Sequence, residues 1–86
     1  MKTFSLILSS PDGDLFRGDA QALIVRGTEG ELAVLADHTP FLTAVKACDA
    51  KIILPDDTEQ IITVDGGLLT VSNNSVTLLS AGMKTE

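Results

Sequence analysis

Few residues in this chain have the chemistry for covalent or coordination work. His38 is the only histidine and Cys48 the only cysteine. A zinc site would need both, with two carboxylates from unrelated loops. A Cys-His nucleophilic pair is formally available from the same two residues, but no flanking pattern positions them for it. Cys48, following Ala47, reads as a small apolar residue. His38 stands beside Asp37 and ahead of Thr39-Pro40, in a loop. It is a candidate surface contact whose ordinary pKa of ~6.5 would let it change charge near neutrality; a solvated histidine without a role is the competing reading.

The carboxylates cluster twice, Asp12 with Asp14 around Gly13, and Asp56, Asp57 and Glu59 at a second turn. A calcium loop needs oxygen ligands at several set positions ending in Glu, and Leu15 and Phe16 interrupt the first cluster at once. Both read as solvated turn carboxylates. Gly27-Thr28-Glu29-Gly30 and Gly66-Gly67 lack the Gly-Lys-Ser/Thr of a phosphate loop, and Glu29, Glu31 and Asp65 would repel phosphate. No catalytic constellation, cofactor site or metal site is therefore expected.

Charge narrows the partners. Twelve acidic residues against six basic ones give a net charge of −6. Lys2, Arg17, Arg26, Lys46, Lys51 and Lys84 are scattered, so the clustered basic footprint that displaces counterions from nucleic acid is missing. The same holds for a direct grip on anionic lipid. A lone cysteine forms no internal disulfide, which favours a reducing compartment. The apolar run near the N-terminus is shorter than the ~7–15 residues of a signal-peptide core and the ~20 of a membrane span.

These residues must be positioned by short strands. Turn signals recur at Pro11-Asp12-Gly13, Gly27-Thr28-Glu29-Gly30, Asp37-His38-Thr39-Pro40, Pro55-Asp56-Asp57, Asp65-Gly66-Gly67 and Asn73-Asn74, with short apolar runs between them. That punctuation is the mark of a sandwich or barrel. Phe4, Leu6 and Leu8 alternate with Thr3, Ser5 and Ser9, the two-residue period of a half-buried strand. Leu69 and Val71 alternate likewise, as do Val76 and Leu78, and Asn73-Asn74 joins the two as a hairpin. Thr39 to Val45 could open a short helix on a Thr39 cap; the β-branched Thr43 and Val45 suit a strand at least as well. The whole chain, 1–86, reads as one all-β domain.

The 86 residues hold 24 Val, Ile and Leu, and the mean hydropathy is +0.28. A domain this small buries only ~60–65% of its unfolded surface. Leu23-Ile24-Val25, Leu32-Ala33-Val34-Leu35, Ile52-Ile53-Leu54, Ile61-Ile62 and Leu68-Leu69 are apolar on both sides, whereas a sandwich strand has one inward face. The excess must emerge outside, and a contiguous patch covered by a partner is expected.

The run Gly27-Thr28-Glu29-Gly30-Glu31-Leu32, followed by Asp37-His38-Thr39-Pro40-Phe41-Leu42-Thr43-Ala44-Val45, closely resembles the epsilon subunit of rotary ATP synthases. Pro11-Asp12-Gly13, Asp65 to Val71 and Asn74 to Leu79 are similar to the family's first turn and to its late hairpin. The resemblance implies a two-layer antiparallel β-sandwich of about ten short strands, without substantial helix. It implies a non-catalytic central-stalk subunit that binds the gamma subunit on one face and couples it to the proton-driven membrane ring during ATP synthesis. The chain would then be peripheral, on the cytoplasmic face of a bacterial energy-coupling membrane or its organelle equivalent.

Carried over residue by residue, Glu29, Gly30 and Glu31 would meet the ring, and His38, Pro40 and Leu42 would lie at the gamma interface. Asp37 stands where the family has Gly, and Ala47-Cys48-Asp49 where it has Pro-Gly. Most members continue into a C-terminal helical pair; the chain is expected to be a short form or an isolated domain, so no inhibitory arm or nucleotide site is assigned to it. A generic β-sandwich binding module with another partner is the alternative.

Overall fold

A computed structural model describes residues 2–36 and 39–85. These residues form β1 (Phe4–Ser10), β2 (Gly13–Ala20), β3 (Ala22–Gly27), β4 (Gly30–Leu35), β5 (Phe41–Ile53), β6 (Glu59–Ser72), β7 (Ser75–Leu79) and β8 (Met83–Thr85), and none of them is helical. Hydrogen bonding links the strands in the order β2-β1-β7-β6-β5-β3-β4, with β8 added to β6. One continuous sheet folds over on itself. β7, β1 and β2 flank the end of β6 in one layer, while β8 pairs with its beginning and β3 and β4 follow the end of β5 in the other.

The expected alternation decides which faces meet. Phe4, Leu6 and Leu8 of β1 are buried, as are Leu69 and Val71 of β6 and Val76 and Leu78 of β7. They share one core with Leu23, Val25, Val34, Ile52 and Ile62 from the opposite layer. The Asn73-Asn74 hairpin forms as read, with Val71 opposite Val76 and Leu69 opposite Leu78. Asn74 takes φ 60°, the left-handed conformation that asparagine tolerates at a tight turn. The residues after Pro40 form β5, so the strand reading prevails over the helical one.

The strand count is eight among the described residues, against the ten implied by resemblance, because β5 and β6 run on for 13 and 14 residues. The Asp65-Gly66-Gly67 signal is therefore a corner inside β6 and does not reverse the chain. Buried side chains of β6 fall on even positions up to Val64 and on odd ones from Leu69, and those of β5 switch between Val45 and Ala50. Register is unchanged across the switch, with Val45 opposite Gly67 and Ala47 opposite Asp65. Both strands kink together, and Gly66 takes φ +92° to allow it. One pairing also departs from the antiparallel expectation: β1 and β7 run parallel. After the long excursion through β5 and β6, the chain returns to the open side of β1 in the same direction.

Ser80 holds this corner. It is the buried polar residue of the described set, 6% exposed. Its hydroxyl lies 2.5 Å from the Gly66 carbonyl and 2.9 Å from that of Gly82, and accepts from the Gly82 amide at 3.3 Å. Its own amide donates to Ser9 O at 3.0 Å.

Candidate functional site

The β3–β4 hairpin carries the Glu-Gly-Glu turn. Gly27 pairs with Gly30, leaving Thr28 and Glu29 as the loop, and Glu31 stands opposite Arg26. Gly30 takes φ +125° with open space where a Cβ would be, so the glycine answers a backbone need and no steric one. Glu29, Gly30 and Glu31 are exposed at one end of the sandwich.

Beside this turn opens a cleft of about 400 Å³ whose walls include Glu29, Glu31, Phe41 and Leu42. Leu42 is 63% exposed, the highest value among the exposed large hydrophobic residues described. The structure thus joins two residue sets that the sequence assigned to different partners: Leu42 faces the same cleft as the Glu-Gly-Glu turn. Pro40 is exposed just before β5. His38 and Asp37 lie outside the described residues, and with them the turn expected there and any pairing of His38 with Cys48. Cys48 is partly buried and packs against the core, as a small apolar residue would.

From Leu42 an apolar stripe crosses the outer face of one layer. Ala44 pairs with Leu68, and Leu68 with Leu79. Because paired residues in a sheet point to the same side, these side chains lie together outside. Leu68 and Leu79 are 42% and 49% exposed. They wall a second groove of about 590 Å³ together with Pro11, Gly67 and Ala81. Leu68-Leu69 is legible in the sequence as a two-sided strand, and the two-residue Asn73-Asn74 loop sets Leu79 opposite Leu68; the sequence does not show that Ala44 of β5 lies on the other side of Leu68.

The aliphatic excess also emerges on the other layer, where Leu35 and Ile61 are 55% and 39% exposed. Ala33, Ile24, Lys51 and Ile61 form a cross-strand row there. The single expected patch is therefore one of two.

The clustered carboxylates are taken up by polar contacts, some within their own turn and some, as with Asp57, from a segment far away in the chain. Arg17 donates to Asp14 Oδ2 through Nη2 at 2.6 Å and Nε at 3.1 Å. The Thr58 hydroxyl donates to Asp56 at 2.6 Å, and Gln21 Nε2 donates to Asp57 at 2.7 Å. Hydrogen bonds from Arg17 and then Ser9 hold the Asp14 carboxyl below the ordinary carboxylate value, and those from Thr58 do the same for Asp56. Among the described residues, no three His, Cys, Asp or Glu gather closely enough to hold a metal ion. What the surface offers is an acidic turn beside an apolar stripe, a pairing suited to contact with other proteins.

Residues 3–85 match a family described as the ATP synthase, Delta/Epsilon chain, beta-sandwich domain. Among solved structures, the chain is similar to one in the Euglena gracilis mitochondrial ATP synthase, OSCP/F1/c-ring in rotational state 1. That likeness has TM-score 0.91 and 19% identity over 96% of this chain and 53% of the other. A second is found in the central stalk/c-ring structure of the Tetrahymena thermophila mitochondrial ATP synthase, with TM-score 0.83 and 13% identity over 98% of this chain and 67% of the other. At such identities the likeness is one of fold, and this chain spans about half to two thirds of those chains' lengths.

Proposed function

Since the chain belongs to the β-sandwich family of ATP synthase delta/epsilon chains, we propose that it is a non-catalytic central-stalk subunit of a proton-translocating rotary ATP synthase. In this reading it couples the membrane ring to the gamma subunit during ATP synthesis. The observation that carries it is the adjacency, at one end of the sandwich, of the acidic Glu29-Gly30-Glu31 turn and the apolar stripe from Leu42 to Leu79.

The stripe would seat the gamma subunit, since burying exposed aliphatic surface contributes roughly 25 cal/mol per Å². Pro40 and Leu42 would lie at that contact with His38. Glu29 and Glu31 would accept hydrogen bonds from basic or amide groups of the ring, the stronger kind because the acceptor is ionised. Rotation loads such a joint by torque, so two contacts of different chemistry on one rigid sheet would resist slipping better than one. No helix among the described residues is long and apolar enough to cross a membrane. A peripheral position on the cytoplasmic face of a bacterial energy-coupling membrane, or its organelle equivalent, follows from the proposed assembly.

Reconstitution tests the reading. The purified chain should bind purified gamma subunit, and the pair should bind the isolated membrane ring more tightly than gamma alone does. Absence of binding to either would overturn it.

A further inference from the structure

We infer that β8 is a detachable strap that shapes the apolar groove beside Leu68 and Leu79, so that docking of the strap on β6 and binding of the gamma subunit strengthen each other. The inference rests on the stalk reading above, which gives that groove its ligand. β8 has three residues and, among the described residues, pairs with β6 alone. Just ahead of it the Asp65 amide donates to Gly82 O at 2.9 Å. In an antiparallel ladder bonded pairs alternate with open ones, so Thr63 with Lys84 is the next bonded pair and Val64 with Met83 the open one between them. Met83 packs against the core, while Lys84 and Thr85 are exposed. A strand held by so little opens locally at far lower cost than the whole domain.

The link between strap and groove is the segment Ser80-Ala81-Gly82. Ser80 and Ala81 wall the groove together with Leu68 and Leu79. Gly82 lines a smaller cavity of about 230 Å³ with Asp65, Met83 and Lys84. The Ser80 hydroxyl joins the two sides: it reaches the Gly66 and Gly82 carbonyls, and the Gly82 amide donates to it. Gly82 is thus gripped twice, by Asp65 of β6 at its carbonyl and by Ser80 at its amide. With β8 docked, both grips hold and Ala81 is fixed in the groove wall. Release of β8 frees the Gly82 end of the segment, and that wall moves with it. A partner seated on the stripe touches the wall only in the docked state. Such a difference in contact is what lets a ligand shift an equilibrium, and the effect is reciprocal, the docked strap tightening the partner's hold.

Amide hydrogen exchange on the full chain, free and saturated with purified gamma subunit, tests the inference. In the free chain the Thr63, Asp65 and Lys84 amides should open together, and faster than that of Val64, which turns towards β5. Gamma should slow those three by at least about tenfold. Lys84→Pro removes the donor to Thr63 and should release the strap. Although Lys84 lies off the stripe, this change should weaken gamma binding at least about fivefold, whereas Lys84→Ala, which keeps the amide, should not. If gamma binds while the three amides exchange as in the free chain, or if Lys84→Pro frees Thr63 and Asp65 without weakening gamma, the inference fails and the stalk reading stands. If gamma does not bind at all, both fall. Should Lys84→Pro unfold the domain, the exchange measurement on the unaltered chain decides alone.

Discussion

Gly67 lies so close to the Leu79 carbonyl that a Cβ on the glycine would collide with that oxygen, with the Leu79 carbonyl carbon and Ser80 Cα crowding behind it. All three are backbone atoms at the end of β7, so no side chain can swing aside. Gly67→Ala should therefore destabilise by roughly 2–4 kcal/mol, in the range of overpacked cores. For a domain of this size that is a fall in Tm of roughly 10–25 °C, measurable by thermal unfolding. Gly30→Ala makes the contrast: its Cβ meets nothing, and the expected cost is the ~1–2 kcal/mol of a left-handed backbone.

Ser80→Ala should cost about 1–3 kcal/mol, because it removes the buried donor that the half-buried Gly66 and Gly82 carbonyls share. Denaturant unfolding reads the loss. Exchange should quicken at the Asp65 amide, which donates to Gly82 O at 2.9 Å, since the corner and the start of β8 loosen together. An unchanged denaturation midpoint would show that the hydroxyl does not hold the corner.

Leu42→Asp and Leu68→Asp replace exposed side chains and should shift stability by no more than about 0.5 kcal/mol. Each should weaken binding to the gamma subunit at least tenfold, measured by titration calorimetry. Ile61→Asp, on the other layer, should leave that affinity unchanged. Equal effects from all three would remove the assignment of the stripe to gamma.

Glu31→Ala should weaken attachment to the membrane ring while the fold persists, with co-sedimentation reading the first and circular dichroism the second. A large drop in Tm would instead make Glu31 a structural partner of Arg26, which it faces across the hairpin.

The Asp14 and Asp56 carboxyls are depressed from 3.8, chiefly by hydrogen bonds from Arg17 and from Thr58 respectively. A carboxyl that ionises more readily folded than unfolded stabilises the fold above its unfolded pKa, and that contribution disappears as pH falls through the folded value. Stability should thus decline below about pH 4. Arg17→Ala and Thr58→Val should each flatten that decline slightly, both groups being solvent-exposed, as followed by Tm between pH 2 and 6.

The all-β character, the turns at Pro11-Asp12, Thr28-Glu29 and Asn73-Asn74, and the inward faces of β1 and β7 were legible in the chain. These are local: a two-residue period marks a buried face, and a tight turn announces itself through Gly and Asn. The acidic turn at Glu29-Gly30-Glu31 was legible for the same reason, and the excess of aliphatic side chains was visible in two-sided runs such as Leu68-Leu69. Gly66-Gly67 shows the limit. Its composition is that of a turn, yet it serves a corner in the middle of β6, because the need for glycine there comes from Val45 and from Leu79, which crowd it from β5 and β7.

By itself, then, the sequence determined which segments extend, which faces are apolar and which residues carry charge at a turn, since each depends on neighbours a few positions away. Only the tertiary structure decided that Leu42 opens onto the same cleft as Glu31, that Ala44 of β5 lies beside Leu68 and so carries the stripe across, and that β4 is left at the edge. Those are matters of register and strand order, which depend on packing between residues far apart in the chain, and a period of two is indifferent to which strand lies alongside.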